Sequence, residues 1–240
     1  MMQREYIERV SERLAALIRE TERRIGFEID VRADPTRNTV ACEVELASAR
    51  MLIPDEEAFS QEAAFHELQH IRRFLVEGAP RLTDTEDDPD WTPERGQRLV
   101  AIDNALEHLI IVPRELEQFP LRSAHWEAVI ARMLDQIDAG GTTCAQRREG
   151  GHYIWIFLRM VMPESPMLER ARQVLSVEEM TSADRLHAEL AAAVGSKREV
   201  VRCWFDYFGI DVAMAWLEYL NPQERRSRRV PLAGEADGAA

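Results

Sequence analysis

From Leu99 to Val112 the chain is apolar on nearly every side of a helical wheel: Leu99, Val100, Ile102, Ala105, Leu106, Leu109, Ile110, Ile111 and Val112 leave no broad face for water. A rod of that kind has to be enclosed by other elements, so the chain must build a core with neighbours on several sides of one helix. Set into it are Asp103, Asn104, Glu107 and His108, which at about 100° per residue fall within an arc of about 140°. Buried carboxylates cost roughly several kcal/mol unless they are paired or bound to a metal. Something complementary must therefore face this patch.

The sequence offers a partner in His66-Glu67-Leu68-Gln69-His70, an H-E-x-x-H pentapeptide. No Pro or Gly stands between Asp55 and Glu77, and Phe65, Leu68, Ile71, Phe74 and Leu75 recur at helical spacing, which predicts a helix from Glu56 to Val76. Residues four apart on a helix lie about one turn apart and differ by roughly 40° in direction, so both imidazoles aim at one point. Two neutral nitrogens so aimed supply half of a tetrahedral zinc site, and Glu67 stands where a carboxylate can accept a proton from bound water. A third ligand is available on the apolar helix. Glu107 follows His70 by 107 − 70 = 37 positions, and Gly78, Pro80, Pro89 and Pro93 allow a loop that returns an antiparallel helix.

With these residues the chain resembles the zincin metallopeptidases, and among them the gluzincin pattern, in which a Glu on a second helix completes a two-His, one-Glu site. The resemblance covers roughly residues 39 to 119. It implies His66, His70 and Glu107 as zinc ligands, Glu67 as catalytic base, and Asp103 or Asn104 as groups that orient a bound imidazole. A weaker likeness is to the short bacterial peptidases of the ImmA/IrrE type, whose second helix also ends in an apolar run closed by Pro, as Leu109-Ile110-Ile111-Val112-Pro113 does here. This chain departs from that family just before the run, where Asp103-Asn104 stands, so Asp103 and Glu107 both remain open as third ligand and His108 is a remoter option. Glu107 is favoured for its reach and its place in the polar arc. A hydrolytic site also needs a donor for the oxyanion formed at the attacked carbonyl. Candidates are His125, His152, Tyr153 and Tyr207; Tyr153 is preferred because Gly150-Gly151 would act as a hinge that lets its backbone approach a cleft.

Composition excludes several other classes. With 43 Asp plus Glu against 30 Lys plus Arg, a net charge of −13 and a pI near 5.0, non-specific binding to nucleic acid or to anionic membrane is disfavoured. Cys42, Cys144 and Cys203 are odd in number and widely spaced, which suits a reducing compartment. No window approaches 18 apolar residues, and the N-terminus reads as an amphipathic helix rather than an apolar leader, so a cytoplasmic protein is expected. Lys197 is the only lysine, which points to codon bias rather than chemistry. The expected partner is a protein or peptide substrate; oligomeric state is not legible.

The expected fold is α+β and mostly helical, with a small N-terminal β-sheet, zincin-like active-site helices and a helical C-terminal half. Glu5 to Arg24 reads as a helix. Phe27 to Val31, Val40 to Leu46 and Arg50 to Ile53 read as short strands, the first two joined by Asp34-Pro35-Thr36-Arg37-Asn38 turn chemistry. By the resemblance, an edge strand of such a sheet would hold extended substrate. Gly78 to Pro93 reads as an acidic loop. Helices are expected over 121–138, 152–162, 165–175, 182–194 and 197–220. Three regions follow: 1–120 around the metal site, 121–220 as a helical subdomain and 221–240 as a disordered tail. The expected activity is zinc-dependent peptide hydrolysis. The alternative is a regulatory or binding protein whose zinc site is structural or degenerate.

Overall fold

Ser60 stands at the start of the H-E-x-x-H helix as an N-cap whose hydroxyl accepts from the Ala63 amide at 3.3 Å, and Arg72 and Arg73 stand in its last turn, where cations suit the helix dipole. The computed structural model describes residues 6–54, 59–84, 91–140 and 143–234. It is α+β and mostly helical, with two three-stranded sheets among the described residues. The chain divides into two compact units, one combining residues up to Thr85 with Trp216–Gly234, the other running from Glu86 to Ala215.

In the first unit, α1 (Glu12–Ile25) is followed by β1 (Ile29–Ala33), β2 (Ala41–Val44), β3 (Ala49–Ile53), α2 (Gln61–Leu75) and β4 (Arg81–Thr83). The helix expected from Glu5 to Arg24 is interrupted: residues 6–8 are helical, the run breaks at Ser11, whose side chain caps the Leu14 amide, and α1 then runs to Gly26, whose φ of 83° suits a residue without a Cβ. The sheet order is β1-β3-β2, with β1 parallel and β2 antiparallel to β3. Helix α2 packs on this sheet through its apolar side. Leu68 and Ile71 are fully enclosed, and the Arg72 guanidinium joins α1 through Glu20 and through the Thr21 hydroxyl at 2.8 Å.

A second sheet completes this unit, and the expectations missed it. Strand β4 lies within the presumed acidic loop, and it pairs antiparallel with β5 (Trp216–Asn221), which pairs in turn with β6 (Arg226–Pro231). Arg81 and Glu218 meet at 2.5 Å across 137 positions of sequence. Residues 216–220 are therefore strand rather than the end of a helix, and 226–231 are strand rather than disordered tail; 235–240 lie outside the described residues, as do 55–58 of the expected α2 start and Glu86 to Asp90 of the acidic loop.

The second unit is helical among its described residues: α3 (Pro93–Gln118), α4 (Ser123–Asp138), α5 (Cys144–Val161), α6 (Met167–Val174), α7 (Val177–Ala193) and α8 (Lys197–Phe208). Helix α3 starts with Pro93 behind a Thr92 cap and continues past Pro113 to Gln118, so the apolar run is not closed there as expected. Capping boxes fix the starts of α5 (Thr143 with Gln146) and α7 (Ser176 with Glu179). The division of the chain also differs from expectation. The break falls at Thr85 rather than near residue 120, so the H-E-x-x-H helix belongs to one unit and Glu107 to the other.

No described helix is long and apolar enough to cross a membrane.

Candidate functional site

Helix α2 carries His66 and His70 on its buried side. Both are less than a tenth exposed, and their ring centroids are 5.1 Å apart at an interplanar angle of 70°. His70 also stacks on Phe74 at 6.4 Å. The geometry follows from i, i+4 spacing: two imidazoles on adjacent turns meet edge to face while Ala64, Phe65, Leu68, Ile71, Phe74 and Leu75 are the apolar buried positions. Gln69, equally buried, stands between them in sequence.

Glu67 is half-buried and turned toward β2. Its carboxylate accepts a hydrogen bond from the Cys42 thiol. Burial first, and then the charge and hydrogen bonding of Glu67, push that thiol well above the ordinary cysteine range, so it stays protonated and donates. Nothing in the sequence-level reading paired Cys42 with Glu67. The signal was present in the alternation of β2, which sends Cys42 and Val44 to the same face as each other.

In the second unit the polar patch of α3 divides. Asn104 is exposed, whereas Asp103 and Glu107 turn inward together and converge on one ammonium: Lys197 Nζ lies 2.7 Å from Asp103 Oδ1 and 2.6 Å from Glu107 Oε1. Glu107 is fully enclosed and Lys197 nearly so. Burial alone would push the Lys197 ammonium down; the two carboxylates outweigh it, and its pKa lies above the ordinary value. The argument that a metal must compensate the buried Glu107 thereby loses its force, because a lysine 90 positions away already does so. That lysine was the residue set aside as codon bias. Its place in the sequence, directly after the capping residue Ser196, was the available clue: a cation in the first turn of a helix opposes the dipole and needs anions nearby.

His108, half-buried, sets its ring edge-on to Trp126 at 5.2 Å, and the Trp126 indole N–H donates to Glu115 Oε2 at 2.9 Å. His125 is exposed beside the same indole. Tyr153 sits in the core with its ring 5.8 Å from Phe157, and burial pushes its phenol well above the ordinary tyrosine value. Gly150 and Gly151 are not a hinge: both lie within α5, and a Cβ on Gly151 would come within 2.9 Å of Leu175 Cδ2. The reason for preferring Tyr153 as an oxyanion donor is therefore gone. His152 and Tyr207 do meet, at 3.0 Å, in a different part of the second unit.

Comparison of the chain with protein-family models, with curated proteins and with solved structures finds no match.

Proposed function

We propose that the chain is a zinc-dependent peptidase in which His66 and His70 bind the metal and Glu67 acts as general base. One observation carries the reading: two imidazoles, both buried, stand on adjacent turns of a single helix with a carboxylate between them in sequence. The donors fit the metal, since neutral imidazole nitrogens are good zinc ligands. Zinc bound there would polarise a carbonyl and lower the pKa of water. Glu107, preferred on sequence grounds, and Asp103 would each have to give up Lys197 to serve as third ligand.

Glu67 holds the proton that leaves the attacking water and passes it to the departing amine, a role that needs a carboxylate able to exchange protons near the reaction. The Cys42 thiol, as a hydrogen-bond donor, fixes the orientation of that carboxylate before it takes the proton from water. Among the described residues strand β2 lies at the edge of its sheet, where an extended peptide would pair alongside it if Arg81 released the Val44 carbonyl. The substrate class is a protein or peptide, and the free cysteines suit a cytoplasmic setting.

The test is metal content and cleavage together. Purified protein should hold about one zinc per chain. His66→Ala and His70→Ala should lose it. Glu67→Gln should keep the zinc and lose cleavage of a peptide library by about 100-fold or more. Full zinc retention in the His66→Ala, His70→Ala double variant would remove the site. Unchanged cleavage by Glu67→Gln would leave a structural metal in its place.

A further inference from the structure

The second unit holds a directed chain of hydrogen bonds that the proposed metal site does not use. His152 on α5 is 1% exposed. Its Nδ1 lies 2.7 Å from the carbonyl oxygen of Arg148 and its Nε2 lies 3.0 Å from the Tyr207 hydroxyl on α8. That hydroxyl in turn meets the Ser182 hydroxyl on α7. The direction of the chain is fixed by elementary donor and acceptor rules. A carbonyl oxygen only accepts, so Nδ1 carries the proton; burial outweighs the other influences on the ring and favours its neutral form, so Nε2 is left as an acceptor. Tyr207 must then donate to Nε2, and its oxygen accepts from Ser182. Protons can therefore run one way, from Ser182 through Tyr207 to His152.

Two further features make the end of this relay suited to chemistry. Ser182 is half-buried and within reach of solvent, whereas His152 is enclosed, so the base is sheltered and the hydroxyl is not. Thr181, its neighbour on α7, gives its hydroxyl to the Val177 carbonyl at 2.8 Å, the usual fate of a helical Ser or Thr; Ser182 gives its hydroxyl to a side chain instead. The exposed Arg148 guanidinium lies 5.3 Å from the centre of the Tyr207 ring and reaches the Tyr207 backbone carbonyl at 3.5 Å, which helps hold that ring against His152.

We propose that Ser182 is an activated nucleophile, with Tyr207 and His152 as its proton relay, able to accept an acyl or phosphoryl group from an ester or similar electrophile with a good leaving group. In the step with a fluorophosphonate, the bond from Ser182 Oγ to phosphorus forms as the phosphorus–fluorine bond breaks. Fluoride leaves, the Ser182 proton passes to Tyr207 Oη, and the Tyr207 proton passes to His152 Nε2 to leave an imidazolium. With an ester the carbonyl carbon takes the place of phosphorus and an alkoxide or phenoxide leaves.

The experiment uses the full chain and a tagged fluorophosphonate, with the labelled peptide located by mass spectrometry. Ser182 should be labelled, Ser182→Ala should lose the label, and Tyr207→Phe should label about 100-fold more slowly, the lower range for loss of a general base. His152→Gln should behave like Tyr207→Phe. If that variant does not fold, Tyr207→Phe decides alone, because it keeps the ring and removes only the hydroxyl. Absence of label on Ser182, or an undiminished rate in Tyr207→Phe, would overturn the proposal and leave the three residues as packing partners only.

Discussion

Lys197 is the residue on which the second unit's buried charge depends. Its ammonium neutralises part of a pair of buried carboxylates, so Lys197→Met leaves Asp103 and Glu107 without that cation in the core. Breaking such a buried group by removing one partner costs about 3 to 5 kcal/mol. The urea midpoint of Lys197→Met should fall accordingly, and adding Asp103→Asn and Glu107→Gln should restore part of it; an unchanged midpoint would mean that the lysine is dispensable. His152 gives a second residue-scale expectation, with the opposite charge logic. Its pKa in the fold lies below the ordinary 6.5, chiefly through burial, with the Arg148 charge acting the same way and the Arg148 carbonyl and Glu179 opposing. A depressed histidine pKa stabilises the fold above the unfolded value and ceases to do so as the pH falls through it. The stability of the parent should therefore drop between about pH 7 and about pH 5 more steeply than that of His152→Gln, measured by urea unfolding at each pH.

At the scale of elements, the two glycines of α5 make a controlled comparison. Gly150 has only Ile137 Cδ1 at 3.8 Å from a built Cβ, an ordinary contact, while Gly151 is pressed against the buried Leu175 at 2.9 Å. Gly150→Ala should raise stability by about 0.5 to 1 kcal/mol through helix propensity. Gly151→Ala should lose that gain to overpacking, and its thermal midpoint should lie below that of Gly150→Ala. Sequence periodicity was sufficient for α2, α3 and α4 because each carries an apolar pattern bounded by Ser, Thr or Pro. It failed where the pattern was ambiguous. Residues 197–220 looked like one helix, yet Gly209, at φ 64°, ends α8 and the chain resumes as β5. Strand β6 exposes four of its first four residues and buries only Val230, a pattern that reads as tail because an edge strand contributes little to the core. For the site, the imidazole pair was legible from spacing alone. The Lys197, Cys42 and Ser182 contacts were not, since each joins residues far apart on different elements and no local periodicity records such a meeting.

At the scale of the whole molecule, the chain leaves the first unit after Thr85 and comes back to it at Trp216. The first unit is therefore discontinuous in sequence, and among the described residues β4 has no neighbour other than β5 in its sheet. Residues 86–215 expressed alone should give a cooperative helical circular-dichroism transition, whereas residues 1–85 alone should not fold cooperatively. A folded 1–85 fragment would show that the hairpin Trp216–Pro231 is an accessory rather than a closure. Pairing across 137 positions also has a temporal consequence during synthesis. A ribosome emits residues in order, and a domain folds once its last residue has emerged. A nascent chain that has released Ala215 holds every residue of the inserted unit while β4 still lacks its partner. The inserted unit is thus able to fold before the unit that flanks it, and the helix bearing His66 and His70 gains its complete surroundings only after Pro231 has emerged.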